Sequence, residues 1–304
     1  MVKPLKIENY PFLSETPTAV ALGFFDGVHL AHREIIKGAV SAESRGLTPT
    51  VFTFKTLLKK APSGELTTEK EKAEIFAALG VKRLIKADFE SVKNLSPEEF
   101  VRDVLADSLK AKKVFCGYNY RFGKNAEGDI FSLAHLCQKL DIEVFVTEEM
   151  TEKGEKISST EIKRLLSEGF PKKAERLLCD KYSFEGRVIH GAKLGRKLGT
   201  PTLNIEIDER KFLPRFGVYA AEVFIEGKKH SAVLNLGKKP TVKGDEKVTL
   251  EAYLLEVSGD FYGDFAKVTL TEFLRDEKKF ESLEALKAAI ENDISKAREL
   301  LKQK

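Results

Sequence analysis

The sequence predicts two domains of different class. The first half reads as an α/β domain with an open, mostly parallel sheet. The second reads as an all-β, six-stranded antiparallel barrel with a C-terminal helix. Three observations carry this expectation. Strands alternate with amphipathic helices up to about residue 180, and after that point short β-rich runs follow one another with frequent turns. A glycine-containing strand-to-helix turn stands near the start of the first half. The length, 304 residues, is comfortable for two hydrophobic cores. The charged helical stretch Ser167–Asp180 is the expected join, giving domains 1–172 and 173–304.

Composition narrows the class. A hydrophobic fraction of 42% and a charged fraction of 32% are those of a soluble globular protein. The net charge of +4 is weak and dispersed, which argues against a nucleic-acid partner, where a clustered basic face is expected. Cys116, Cys137 and Cys179 are odd in number and lack a CxxC, so they read as reduced thiols of a cytoplasmic protein. No apolar run is long enough to span a bilayer, so no membrane partner is expected, and the chain reads as a monomer or weak homo-oligomer.

In the first half, Met1–Pro17 reads as an irregular lead-in. Thr18–Leu22 is an apolar, β-branched-containing strand. A helix follows from His32 to Arg45, with Ile35, Ile36, Ala39 and Val40 on one face and Gly46 to end it. Between them lies Ala-Leu-Gly-Phe-Phe-Asp-Gly-Val-His-Leu-Ala-His, residues 21–32. Such a turn gathers unpaired backbone N–H groups and the positive end of a helix dipole. Gly23, Phe24, Asp26 and Gly27 therefore form a candidate phosphate site. His29 and His32, three apart, reach the same phosphate as proton donors or as partial cations. The plain alternative is a helix cap, and zinc is disfavoured because no further ligand lies at suitable spacing.

Thr48–Phe54 is a second strand, which makes a right-handed β-α-β unit. Lys55–Gly64 is a basic loop. Thr68 with Glu71, and Ser96 with Glu99 behind Pro97, are capping boxes opening two helices. Val81–Lys86 and Val114–Gly117 are further strands. Ligands bind open α/β sheets at the carboxyl ends of the strands, so the motifs should share one rim. On it belong Gly117–Lys124, with Asn119 between aromatics, and Ile157–Arg164. In the latter, Ser159 and Thr160 sit at a helix N-terminus with Lys163 one turn in, a set suited to a phosphate leaving group.

In the second half the expected strands are Tyr182–Ile189, Thr202–Ile207, Gly217–Ile225, His230–Leu236, Val248–Leu255 and Ala266–Leu274. Ser282–Leu301 is an amphipathic helix whose stripe of Leu283, Leu286, Ile290, Ile294, Ala297 and Leu301 is expected to cover one side of the barrel. Gly191, Gly195 and Gly199, interleaved with Lys193 and other basic residues, read as a phosphate cradle that is not a Walker loop. Thr202 and Asn204 fall on one strand face, where two neutral oxygens can share Mg²⁺ with nucleotide phosphates. Glu251 is a candidate general base, with Glu256 its rival.

Gly-Phe-Phe-Asp-Gly-Val-His-Leu-Ala-His resembles the His-x-Gly-His signature of nucleotidyltransferases, within the bacterial bifunctional riboflavin kinase/FAD synthetase family. Gly117-Tyr-Asn-Tyr-Arg-Phe-Gly123, Pro201-Thr-Leu-Asn204 and Arg275-Asp-Glu-Lys-Lys-Phe280 are similar to further motifs of that family, so the resemblance covers nearly the whole chain. Two positions depart: Ala31 stands for the usual Gly and Lys163 for Arg. The resemblance implies a Rossmann-like nucleotidyltransferase domain followed by a riboflavin kinase-like barrel. It implies riboflavin, FMN and ATP as substrates, with ATP as co-substrate of both steps and Mg²⁺ as cofactor. His29, His32 and Lys163 would serve adenylyl transfer, Asn119 would hold its substrates, Glu251 would serve phosphorylation, and Arg275 would lie near the flavin. The alternative is a riboflavin kinase whose N-terminal half is weakened or inactive in adenylyl transfer. Another rival is a flavin-responsive regulator that binds nucleic acid, which the dispersed charge argues against.

Overall fold

The strand β2 (Thr18–Leu22) is buried at every position and lies at the middle of the first sheet. Its alternation serves two cores at once. Val20 and Leu22 face one hydrophobic cluster, and Ala19 and Ala21 face the other. The computed structural model describes residues 4–55, 64–190, 200–240, 246–257 and 259–302, which fall into two compact units, Met1–Ser159 and Thr160–Lys304.

In the first unit β2 is joined by β1 (Lys6–Asn9), β3 (Thr48–Phe54), β4 (Arg83–Ala87), β5 (Ala111–Gly117) and β6 (Glu143–Thr147). The order is β1-β4-β3-β2-β5-β6 and every pairing is parallel; β7 (Thr151–Glu152) and β8 (Glu155–Lys156) form a separate antiparallel pair. Strand order therefore reverses between β2 and β5, which makes a crevice at their carboxyl ends. The helix after β2 spans Leu30–Ser41 and continues as a 3₁₀ turn to Arg45, where Gly46 at φ +79° ends it as expected. It packs close to the sheet: a Cβ on Gly38 would stand 2.5 Å from the Phe115 ring. The capping boxes at Thr68–Glu71 and Ser96–Glu99 both form.

One expectation for this unit is corrected, and one helix differs in its winding. The lead-in is not wholly irregular, because Lys6–Asn9 adds an edge strand paired with Arg83–Lys86. Its mostly exposed KIEN sequence carries no apolar alternation to announce it. The Ser96 helix does not run as a plain α-helix, since Phe100–Ser108 is wound as a π-helix. Of the basic loop, residues 56–63 lie outside the described residues.

In the second unit β9 (Ser183–Ile189), β10 (Leu203–Ile205), β11 (Gly217–Ile225), β12 (Lys228–Pro240), β13 (Glu246–Leu254) and β14 (Phe265–Arg275) close into an antiparallel barrel ordered β10-β13-β12-β11-β14-β9. The expected six runs are the six strands, with ends shifted by up to four residues. The barrel interior is filled by side chains: Tyr219, Ala221 and Val223 on β11, Ala232, Leu234 and Leu236 on β12, and Leu250 and Ala252 on β13 are all buried. The stretch expected as a linker is part of this unit. Its helix Pro171–Leu178 buries Pro171, Ala174, Leu177 and Leu178. The C-terminal helix, Leu283–Lys302, lies against the outer wall through Ile294, Ala297, Leu300 and Leu301, which meet Ala220, Val233 and Tyr253. Leu283 does not join that stripe; it is 61% exposed.

Barrel closure depends on one close approach. A Cβ on Gly186 would lie 1.8 Å from the Glu206 carbonyl oxygen, a backbone atom that cannot swing away. Gly186→Ala is expected to destabilise this unit by about 3 kcal/mol. Urea unfolding followed by far-UV circular dichroism measures this, and an unchanged midpoint would count against the packing described.

Candidate active sites on the two units

The turn after β2 is strained and tied down from several sides. Phe25 and Val28 take left-handed backbone at φ +55° and +39°, and Gly27 sits at +83°. Such conformations at non-glycine residues cost about 1–3 kcal/mol each and persist only where the surroundings over-determine them. Here Phe25 is buried at the edge of Phe76 and His32, with ring centroids 5.8 and 5.2 Å away. The buried Asp26 carboxylate accepts from the backbone N–H of Leu66 at 2.7 Å and of Thr67 at 3.4 Å, and Thr67 Oγ1 accepts from Gly27 N–H. Asp26 carbonyl accepts from Ser159 Oγ at 2.7 Å, and Phe24 carbonyl accepts from Thr53 Oγ1. Asp26, expected among the nucleotide ligands, therefore holds the turn together.

His29 and His32 are stacked, with centroids 3.5 Å apart and planes 17° from parallel. His29 caps the following helix, its Nδ1 accepting from His32 N–H at 3.4 Å, which leaves the ring proton on Nε2. Burial pushes the His29 pKa down to about 4, an effect that Asp26 only partly offsets. Burial holds His32 well below the ordinary range as well, helped by His29 and Lys72. Of the two expected roles, neutral proton donor is the one this environment favours over partial cation. Ala31 lies in the first turn of an ordinary helix, where a methyl group meets no conformational obstacle. No local pattern announced the buried pair beside this turn: Lys72 Nζ lies 3.0 Å from Glu65 Oε2 and 4.1 Å from the Phe24 ring centroid.

Asn119 is exposed in the turn that follows β5, on the same carboxyl-end rim as the β2 turn. Ser159 opens the helix Ser159–Ser167, whose remaining residues, Thr160 and Lys163 included, belong to the second unit. There Lys163 Nζ stands 5.8 Å from the Phe212 ring centroid. Arg164 is committed to Glu161 and Glu168 on the exposed face.

On the barrel, a cavity of about 320 Å³ brings together Thr202, Glu251 and Arg275. Asn204 is directly opposite Glu251 in the β10–β13 pairing, and Asn235 is opposite it on the other side, so the three share one level and one face. That face is the outer wall, not the packed interior: Glu251 alternates with Leu250 and Ala252, which point inward. The C-terminal helix supplies the opposite wall through Leu286, Ile290 and Asp293. The helix expected only to cover the barrel is thus one wall of the cavity. Asn235, Glu277 and Asp293 were not anticipated. Asp293 left a trace in the sequence, because it interrupts the apolar stripe between Ile290 and Ala297. Asn235 Nδ2 donates to Glu277 Oε1, and that carboxylate packs where Gly237 has no side chain. Gly191, Lys193 and Gly195 lie outside the described residues.

Comparison with known proteins finds matches to both halves of the chain. A family model for FAD synthetase matches residues 13–161, and one for riboflavin kinase matches residues 178–301. The bifunctional riboflavin kinase/FMN adenylyltransferase of Listeria monocytogenes is 37% identical over 90% of this chain and 89% of its own length. The Escherichia coli K12 protein of the same name is 35% identical, over 94% and 95%. A crystal structure titled macrolide-efflux protein from Streptococcus pneumoniae superposes with a TM-score of 0.84 at 28% identity, over 94% of this chain and 95% of that one.

The histidine environment fixes a pH dependence. His29 is held neutral down to about pH 4, whereas an imidazole in the unfolded chain titrates near 6.5. The unfolded chain thus binds the proton first, and stability from this residue is lost as pH falls from about 6.5 towards about 4. His29→Gln should flatten that acid loss in thermal melts. In NMR titration the His29 ring should stay neutral across the range where a solvated histidine titrates, and a midpoint near 6.5 would contradict the site.

Proposed function

The chain belongs to the bifunctional riboflavin kinase/FMN adenylyltransferase family, and we infer from that membership and from its two sites what it does. It phosphorylates riboflavin with ATP to FMN and adenylylates FMN with ATP to FAD, releasing pyrophosphate. The alternative of a kinase with an idle N-terminal half is not favoured, because the FAD synthetase model spans residues 13–161 and the bifunctional relatives match both halves. We assign adenylyl transfer to 1–172 and phosphorylation to 173–304. The observation that carries the reading is the pair of unlike sites, one at a parallel-sheet switch point and one on a barrel wall.

In adenylyl transfer a phosphate oxygen of FMN attacks the α-phosphorus of ATP and pyrophosphate leaves. Gly23, Phe24, Asp26 and Gly27 are assigned to the nucleotide phosphates on their motif, while the Asp26 carboxylate and the Gly27 N–H, which donates to Thr67 Oγ1, hold the turn in place. His29 and His32, both neutral, stabilise the phosphoryl oxygens as N–H donors; for His29 the donor is Nε2. Ser159, Thr160 and Lys163 are assigned to the leaving pyrophosphate and Asn119 to substrate positioning, on their motifs alone. Positioning and charge stabilisation account for the chemistry, with no covalent intermediate on the protein.

In phosphorylation Glu251 accepts the proton of the ribityl hydroxyl as it attacks the γ-phosphorus of ATP. Gly191, Lys193 and Gly195 are assigned to the nucleotide phosphates and Arg275 to the flavin. The donor set suits Mg²⁺ that arrives with the nucleotide: one carboxylate beside the neutral side chains of Thr202 and Asn204, and no cluster of three or more His, Cys, Asp or Glu among the described residues that could cage a metal. Thr202 and Asn204 would hold that ion, which when bound neutralises charge on the transferring phosphates. The described residues contain no helix long and apolar enough to cross a membrane. We place the enzyme in the cytoplasm, as a monomer or weak homo-oligomer, with riboflavin, FMN and ATP as its partners and neither nucleic acid nor membrane among them.

Separate sites make the two activities separable. Glu251→Gln should lower FMN formation from riboflavin by about 10²–10⁴-fold and leave FAD formation from FMN unchanged. Chromatography of the products from each substrate with MgATP reads both. Equal loss of the two activities, or none, would overturn the assignment.

A further inference from the structure

The end of β14 and the C-terminal helix are joined by an ion pair that the apolar docking of that helix does not require. Asp293 is 2% exposed, and its carboxylate takes the side edge of Arg275: Nε lies 3.1 and 3.0 Å from the two oxygens, and Nη2 lies 2.8 Å from Oδ2. Arg275 Nη1 also donates to the Asp276 carbonyl at 3.1 Å. The Phe280 ring centroid is 5.5 Å from the guanidinium carbon. Arg275, Phe280 and Asp293 all line the cavity that holds Glu251.

Ile294, Ala297, Leu300 and Leu301 already seat the helix on Ala220, Val233 and Tyr253. A buried charge pair adds little to such docking, because removing two ions from water offsets most of their attraction. What the pair does supply is orientation. A guanidinium has five N–H donors in a rigid fork. Among the described residues these bonds use one on Nε, one on Nη2 and one on Nη1, which leaves one donor on each terminal nitrogen. With the side edge fixed by Asp293, those two N–H groups are held in one plane at the cavity wall. A planar ligand bearing carbonyl oxygens is what such a pair of donors recognises.

We propose that Asp293 is a positioning residue of the riboflavin site, acting through Arg275 to hold its guanidinium for the flavin ring. The proposal rests on the kinase reading of this unit. It assigns to the C-terminal helix a part in substrate binding as well as in covering the barrel.

The test is a double-variant cycle on the full chain, with riboflavin phosphorylation resolved into KM and kcat. Asp293→Asn should raise the KM for riboflavin about tenfold and change kcat less than twofold, and Asp293→Glu should recover part of the loss. Arg275→Lys keeps the charge without the fork and should raise KM as much. The double variant should then be no worse than Arg275→Lys alone, because Asp293 acts only through that fork. Ile294→Ala, which loosens the helix without touching Arg275, should lower the melting temperature and leave KM unchanged. FMN adenylylation by the same preparations should not change. Additive losses in the double variant, or a KM rise in Ile294→Ala equal to that of Asp293→Asn, would overturn the proposal. A wild-type chain that forms no FMN would instead remove the kinase reading, and the proposal with it.

Discussion

Asp26 is the residue on which the first site depends. The turn after β2 is held mostly by hydrogen bonds to distant stretches of the chain, and its Gly27 N–H is itself taken by Thr67 Oγ1. The Asp26 carboxylate takes the amides of Leu66 and Thr67, and the Asp26 carbonyl takes Ser159 Oγ. Phe25 adds an apolar anchor among Phe76 and His32, and that anchoring lets Phe25 and Val28 remain in left-handed backbone. The strain is local, and three separate stretches of chain oppose it.

The barrel unit is built by different means. The barrel interior is packed with aliphatic and aromatic side chains and has no room for a nucleotide or a flavin. The polar candidates therefore sit on the outer wall, where the period of two places Glu251, Asn204 and Asn235 side by side on the face that the interior does not use. A wall alone is not a cavity, and the C-terminal helix makes it one. Polar residues on that helix, Asp293 above all, are consequently part of the site.

Much of this was legible in the chain. The rhythm of strands and helices, the capping boxes at Thr68 and Ser96, and Gly46 after the first helix follow from short-range chemistry that the structure obeys. The candidate site residues were read by type and by motif; the structure places His29 and His32 beyond the end of β2 and Glu251 and Thr202 at one cavity on the barrel wall. Their surroundings were not legible. No local pattern shows that Lys72 and Glu65 pair behind Phe24, or that stacking and burial keep both histidines neutral, because these depend on residues some 40 positions away in sequence. The edge strand Lys6–Asn9 escaped for the opposite reason: it is defined by backbone pairing to β4 and carries no hydrophobic signal.

The central claim is that one chain presents two independent triphosphate pockets, one beside the Asp26 turn and one on the barrel wall. Titration calorimetry with a non-hydrolysable ATP analogue and magnesium counts them directly. The account predicts two molecules bound per chain, with Glu251→Gln leaving the count unchanged and a second variant, Gly27→Val, removing one. A stoichiometry of one in the wild-type protein would contradict it.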